Sequence, residues 1–120
     1  MQEKRSWGEY KVIFHQQNPD GSETLVKHMI ILPGCNVSYQ YHLHRDEIWT
    51  IIQGEGELIL EGVITKLQTG DTVKIPREAK HSIRATNELH FIEVQQGTPL
   101  IEEDIVRLAI TWDEISELRS

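Results

Sequence analysis

Gly34-Cys-Asn-Val-Ser-Tyr-Gln40-Tyr-His42-Leu-His44-Arg-Asp-Glu47-Ile-Trp-Thr-Ile-Ile-Gln-Gly54 is the stretch whose reading decides the fold. Side chains of an extended chain point alternately to opposite faces. Val37, Tyr39, Tyr41 and Leu43 therefore fall on one face, and Ser38, Gln40, His42 and His44 on the other. A sheet face with two histidines and a glutamine is unusual for plain core. Glu47 follows near the start of the next strand. A second stretch, Gly70-Asp-Thr-Val-Lys-Ile-Pro76-Arg-Glu-Ala-Lys-His81, brings another histidine after a turn. Gln40, His42, Glu47 and His81 together offer an amide oxygen, two imidazole nitrogens and a carboxylate. That mixed set suits one divalent ion of zinc, manganese, iron, cobalt or nickel, and spacing does not choose among them. Four protein ligands with room for water or substrate favour catalysis over a purely structural ion. The competing reading is a row of hydrogen-bonded polar residues on a half-solvated sheet. His15 and His28, which flank the first turn region, and His90, which starts a strand without neighbouring ligand types, receive that reading.

Outward from this stretch the pattern is β throughout. Trp7 to Phe14 alternates as a strand, Asn18-Pro-Asp-Gly21 is turn chemistry, and Thr24 to Leu32 returns as a β-rich run that Pro33-Gly34 breaks. Glu57 to Leu60 and Val63 to Leu67 form a hairpin about Glu61-Gly62. Thr72 to Ile75, His81 to Ala85 and Leu89 to Gln95 complete the strands. Many short strands at close spacing predict an all-β sandwich or barrel. Only the end departs: Thr111-Trp-Asp-Glu114 resembles a capping box, predicting a short C-terminal helix with Ile115 and Leu118 on one side and Arg119 in its last turn.

The 120 residues carry a net charge of -7, and one domain over 1–120 is the expectation. The acidic balance repels phosphate backbones and argues against nucleic acid. No apolar run reaches membrane length and the start has no signal-peptide core, so a cytoplasmic, soluble protein without membrane partners is expected. A single cysteine, Cys35, excludes an intrachain disulfide. Local Lys and Arg remain available for a small anion.

The two stretches resemble the cupin signatures. Gly34, Gln40, His42, Glu47 and Gly54 fit the first, with Gln40 where most cupins carry histidine; Gly70, Pro76 and His81 fit the second. Cupins generally have glycine at the position of Glu78 and asparagine at that of Ala85, and both are absent here. The chain further resembles the type II mannose-6-phosphate isomerase domain, the cupin often fused behind a mannose-1-phosphate guanylyltransferase. The resemblance rests on Trp7-Gly8-x-Tyr10, on Pro33-Gly34 through Gln40-x-His42-x-His44-Arg45-x-Glu47-x-Trp49, on Ile75-Pro76 with His81, on Glu93-Val-Gln95-x-Gly97 and on Glu103-Asp104-Ile-Val-Arg107. The glutamine-for-histidine exchange is itself typical of these isomerases. Residues 1–120 hold no counterpart of the nucleotidyltransferase, and Leu108 to Ser120 departs from the family's acidic and aromatic tail.

The resemblance implies a cupin double-stranded β-helix, a jelly-roll barrel. It implies aldose–ketose isomerisation of a small phosphorylated sugar, with one divalent metal, zinc foremost, held by Gln40, His42, Glu47 and His81. His44 and Glu93, read as sharing the inward parity of their strands, are the candidate bases. Lys27 is a candidate acid and a contact to substrate oxygens. Arg107 is the candidate phosphate ligand. Arg45 is read as structural because its parity opposes that of His42, and Trp7, Tyr10 and Trp49 as core. A homodimer through sheet edges is expected, since open edges need covering. The alternative is a non-catalytic, metal-containing cupin that binds a sugar or other small molecule. Cupin dioxygenation or decarboxylation usually uses three histidines and a glutamate, which Gln40 disfavours.

Overall fold

The computed structural model describes residues 2–118. Its strands are β1 (Gln2–Arg5), β2 (Gly8–Gln17), β3 (Glu23–Ile31), β4 (Tyr39–Tyr41), β5 (Arg45–Gln53), β6 (Glu55–Leu60), β7 (Val63–Gln68), β8 (Thr72–Ile75), β9 (His81–Ala85), β10 (Leu89–Gly97) and β11 (Val106–Ala109), followed by helix α1 (Trp112–Leu118). β1 and β11 were not foreseen from the pattern. The turns fall where the sequence places them. Asn18 to Ser22 reverses β2 into β3, with the Gly21 N–H donating to the Asn18 carbonyl at 3.0 Å. Glu61 and Gly62 both take positive φ, 47° and 80°, as a tight two-residue hairpin requires.

The strands pair antiparallel into two sheets, of order β1-β2-β3-β10-β5-β8 and β11-β4-β9-β6-β7. Their inner faces share one core, in which Met29, Trp49, Ile51 and Phe91 of the first meet Leu58, Ile83 and Ala85 of the second. The expected jelly-roll is thus present as two facing sheets; among the described residues no ladder joins them into one continuous barrel. No described helix is long and apolar enough to cross a membrane.

The register explains where a polar site can exist. Across β3, β10 and β5 the inward rungs run Ile31 opposite Leu89, then Met29 with Phe91 and Ile51, then Lys27 with Glu93 and Trp49, then Leu25 with Gln95 and Glu47. One end of the interior is therefore hydrocarbon and the other is charged. Buried polar groups must find partners, so the polar end is organised as a network.

Two expectations change here. Val37 to His44 is not one regular strand: only Tyr39–Tyr41 is, and the chain bends at Leu43 and His44. The bend is held from a distance, because the Asp104 carboxylate accepts the backbone N–H groups of Leu43 (2.8 Å) and His44 (2.9 Å). Gly97 permits the close approach of β10 to this bend, since a Cβ there would lie 1.9 Å from the His44 carbonyl oxygen. At the C-terminus the capping box forms as expected: the Glu114 N–H donates to Thr111 Oγ1 at 3.2 Å, and the Thr111 N–H donates to Glu114 Oε1 at 3.1 Å. Ile115 packs with Tyr39, Ile59 and Ala109 on the outer face of the second sheet. Leu118, expected beside it, is the last residue of the seven-residue helix and is exposed. Arg119 lies outside the described residues.

Glu78, where the resemblance leads one to expect glycine, sits at φ 69°. Its N–H donates to the His42 carbonyl at 2.8 Å, tying the β8–β9 loop to the ligand-bearing segment. A left-handed conformation costs a non-glycine residue about 1–2 kcal/mol, against about 0.5–1 kcal/mol of extra chain entropy for glycine. Glu78→Gly is therefore expected to stabilise the fold by roughly 0.5–1 kcal/mol, read from urea midpoints. An unchanged or lowered midpoint contradicts this.

Candidate metal centre and its cleft

His42 lies just beyond β4, Glu47 faces inward from β5, and His81 opens β9 opposite Gln40. One ligand atom from each of His42, Glu47 and His81 lies within 4.8 Å of the others, and all three residues are buried. His42 Nδ1 is 2.8 Å from the Asp104 carbonyl oxygen, and His81 Nδ1 is 2.9 Å from that of Ala79. A carbonyl can only accept, so each ring carries its proton on Nδ1 and keeps a lone pair on Nε2. His81 Nε2 is buried and has no hydrogen-bond partner among the described residues. Leaving such an atom unpaired costs about 1–3 kcal/mol, and a cation would satisfy it. Two imidazole nitrogens and a carboxylate fit a divalent first-row ion, each histidine braced through its other nitrogen.

Gln40 stands beside this triad, with its amide nitrogen 3.5 Å from His42 Nε2 and its oxygen accepting from Ser38 Oγ at 2.7 Å. A half-turn of the amide would present the oxygen. Three donors are thus preassembled, and Gln40, expected as the fourth, is adjacent.

Arg45 corrects the parity argument. The bend at Leu43 and His44 resets the alternation, so Arg45, Glu47, Trp49 and Ile51 are all buried on β5. Its Nε donates to Glu47 Oε2 at 2.8 Å, and its Nη2 lies 3.3 Å from His42 Nε2. The same bend turns His44 outward: it is exposed and does not border the cleft, so the expectation that it shares an inward face does not hold.

Burial, followed by the charge of Arg45 and the nearness of His81, lowers the pKa of His42 to about 4. Burial likewise lowers that of His81. Both rings are therefore neutral and ligand-competent at neutral pH. Burial and the nearby Glu47 raise Glu93 to about 8. Trp49, expected as plain core, also donates through Nε1 to Glu47 Oε1 at 3.0 Å and to Glu93 Oε1 at 3.2 Å. Gln95 Nε2 donates to Glu93 Oε2 at 3.1 Å. Gln95 could have been found from the sequence, since Phe91, Glu93 and Gln95 alternate. Asp104 lay within a quoted motif, but its role as the brace of His42 has no local signal.

The centre adjoins a cleft of about 370 Å³ between the sheets, bordered by Tyr10, Lys27, Gln40, Glu93, Glu102 and Arg107 among others. Lys27 is 4% exposed, so it is not a solvated surface charge. Arg107 lies opposite Gln40 in the β11–β4 ladder and is exposed at the mouth. Arg45, rather than the triad itself, borders the cleft. A larger hollow of about 770 Å³ near Glu57, Lys66 and Arg84 touches none of the candidate residues. His28 and His90 face each other on the outside, 2.9 Å apart, and His15 pairs with Glu23; none of the three joins the site.

Comparison with known proteins agrees with this geometry. The mannose-1-phosphate guanylyltransferase of Salmonella muenchen is 35% identical over 106 residues, 87% of this chain and 21% of that protein. The alginate biosynthesis protein AlgA of Pseudomonas putida is 33% identical over 114 residues, 93% of this chain and 22% of that protein. The chain thus spans about a fifth of the length of the curated relatives it matches. Among solved structures, oxalate decarboxylase from Bacillus subtilis superposes with a TM-score of 0.77 at 19% identity, over 90% of this chain and 30% of that one. KdgF from Halomonas sp. gives 0.65 at 20%, over 74% and 79% respectively. At such identities the likeness establishes the fold alone, an all-β cupin-like double-stranded β-helix.

Two outcomes test the centre. Metal retained through gel filtration should fall more in His42→Ala than in Gln40→Ala, because imidazole is the better donor and is already oriented; equal retention contradicts the ranking. Without metal, His42 binds fewer protons folded than unfolded between its ordinary 6.5 and about 4. Its contribution is full above that window and is lost as pH falls through it. Urea midpoints of chelator-stripped protein should show wild type losing up to about 3 kcal/mol more than His42→Gln between about pH 7 and about pH 4; parallel curves contradict this. Residues 1–110 match the family described as mannose-6-phosphate isomerase C-terminal, and with that match covering every strand of the two sheets the chain belongs to this family of cupin domains.

Proposed function

We propose that the protein is a metal-dependent sugar-phosphate isomerase that interconverts mannose 6-phosphate and fructose 6-phosphate. The observation that carries this is the convergence of two inward Nε2 lone pairs and the Glu47 carboxylate beside a cleft that also holds Lys27 and Glu93. Isomerisation moves a proton between neighbouring carbons, so it needs a base near neutrality and stabilisation of charge developing on two oxygens. A divalent ion held by His42, Glu47, His81 and Gln40, zinc foremost, would supply Lewis-acid polarisation of the substrate oxygens.

The chain's own groups then divide the remaining work. Glu93 takes and returns the proton: its burial strengthens it as a base, and Trp49 and Gln95 fix its orientation. Lys27, its cross-strand partner, donates to a substrate oxygen. Arg107 holds the phosphate at the mouth, where its guanidinium can engage two oxygens at once. His44, turned outward by the bend, takes no part. The homodimer belongs to the same proposal: β1 and β8 are the open edges of the first sheet and β11 and β7 those of the second.

A second reading is a cupin that holds metal and binds a small molecule without turnover. The observation favouring it is Arg45, whose guanidinium reaches His42 and Glu47 and stands between the triad and the cleft. The two readings separate by assay. Protein purified without chelator should contain metal and form fructose 6-phosphate from mannose 6-phosphate with added zinc, manganese or cobalt. Bound metal with no turnover on several phosphosugars selects the second reading. Arg107→Ala should raise KM for phosphorylated sugars by about tenfold and leave unphosphorylated ones unaffected; an equal effect on both removes Arg107 from the phosphate role.

A further inference from the structure

Lys27 is buried in the first sheet's wall of the cleft, yet its ion-pair partner comes from outside that sheet. Glu102 lies between β10 and β11, outside any strand. Its Oε1 is 2.6 Å from Lys27 Nζ, and its side chain is 55% exposed against 5% for Lys27. The Tyr10 hydroxyl donates to the same oxygen at 3.3 Å. Lys27 Nζ lies 4.2 Å from the centroid of the Tyr10 ring, and the Arg5 guanidinium carbon 5.4 Å from it. One carboxylate oxygen, projected from a non-strand segment and open to water, thus receives a buried ammonium and a buried phenol.

An ammonium at this depth is costly without an anion beside it. The anion that neutralises it need not be permanent, because Glu102 can return to water with little penalty. Arg107, on the facing sheet at the mouth of the same cleft, would supply a second cation to any incoming anion.

We propose that Lys27 and Tyr10 form a subsite for the phosphate of the ligand, and that the Glu102 carboxylate is its internal occupant, displaced when ligand binds. This rests on the reading of the cleft as a phosphosugar site. Glu102 acts as a tethered competitor: it keeps Lys27 neutralised in the free protein and lowers the apparent affinity for external anions by the fraction of molecules in which it occupies the subsite. A phosphate monoester, with the greater charge and more acceptor oxygens, takes over the ammonium and the hydroxyl, and Glu102 moves to solvent. The main chain around Glu102 stays anchored by Asp104 on the His42 bend, so the displacement is confined to the Glu102 side chain.

The test is calorimetric titration of the metal-containing protein, as purified, with inorganic phosphate at constant ionic strength. Glu102→Gln keeps an accepting oxygen for Lys27 and removes the competing charge. It should bind phosphate about tenfold more tightly than wild type, while Glu102→Asp, which keeps the charge, should show a smaller gain. Adding Lys27→Met or Tyr10→Phe to Glu102→Gln should remove the gain. Glu102→Gln binding phosphate no more tightly than wild type overturns the proposal, as does a gain that survives loss of Lys27. The single variant decides the question even if a double variant folds poorly. The outcome is independent of turnover: tighter phosphate binding in a protein inactive on phosphosugars upholds the subsite and removes the isomerase reading, and an active enzyme without the gain does the reverse.

Discussion

The constraint on which the rest depends is the pair of hydrogen bonds from His42 Nδ1 and His81 Nδ1 to main-chain carbonyls. Each fixes a tautomer, and together they turn two lone pairs toward the Glu47 carboxylate in a region closed to water. Everything nearby follows from having to satisfy charge at depth. Arg45 neutralises Glu47, Trp49 bridges Glu47 to Glu93, Gln95 steadies Glu93, and Lys27 reaches outward to Glu102. The hydrocarbon half of the same sandwich supplies rigidity. Ile31, Ile51, Leu58, Ile83, Leu89 and Phe91 are each at most 2% exposed, so the strands that present the polar rungs cannot shift independently.

What the sequence made legible was whatever depends on alternation and turn chemistry. The parity of Glu93, the breaks at Pro33-Gly34 and Glu61-Gly62, and the Thr111 capping box are local signals, and each is found in place. Gln40, His42, Glu47 and His81 could be picked out as candidates because they are polar where core is expected, and the structure brings His42, Glu47 and His81 together. What was not legible was set by contacts across the chain. The Asp104 carboxylate bends the backbone at Leu43 and His44, 60 residues or more away in sequence. That bend expels His44 and admits Arg45. The burial of Lys27 depends on Glu102, 75 residues away, and a lysine in an alternating strand carries no mark of its depth. Alternation predicts faces only while a strand continues, and β4 is three residues long.

The polar end of the interior has two layers. The lower holds neutral imidazoles and a carboxylate under Arg45; the upper, toward the mouth, holds Glu93, Lys27, Tyr10 and Arg107 around the cleft. Such a division suits a reaction that needs charge stabilisation and proton movement on one small polar molecule. The curated relatives are about four times as long as this chain, and every group invoked here comes from residues 1–110, the part that matches the family.

The central claim is that His42 Nε2, His81 Nε2 and the Glu47 carboxylate share one cation. Anomalous diffraction from crystals soaked in cobalt or zinc tests it most directly. A single strong peak is expected at bonding distance from all three atoms, with the Arg45 guanidinium withdrawn from His42 and the Gln40 amide oxygen turned toward the ion. A peak that lies elsewhere, or no peak with Arg45 still on His42, contradicts the claim.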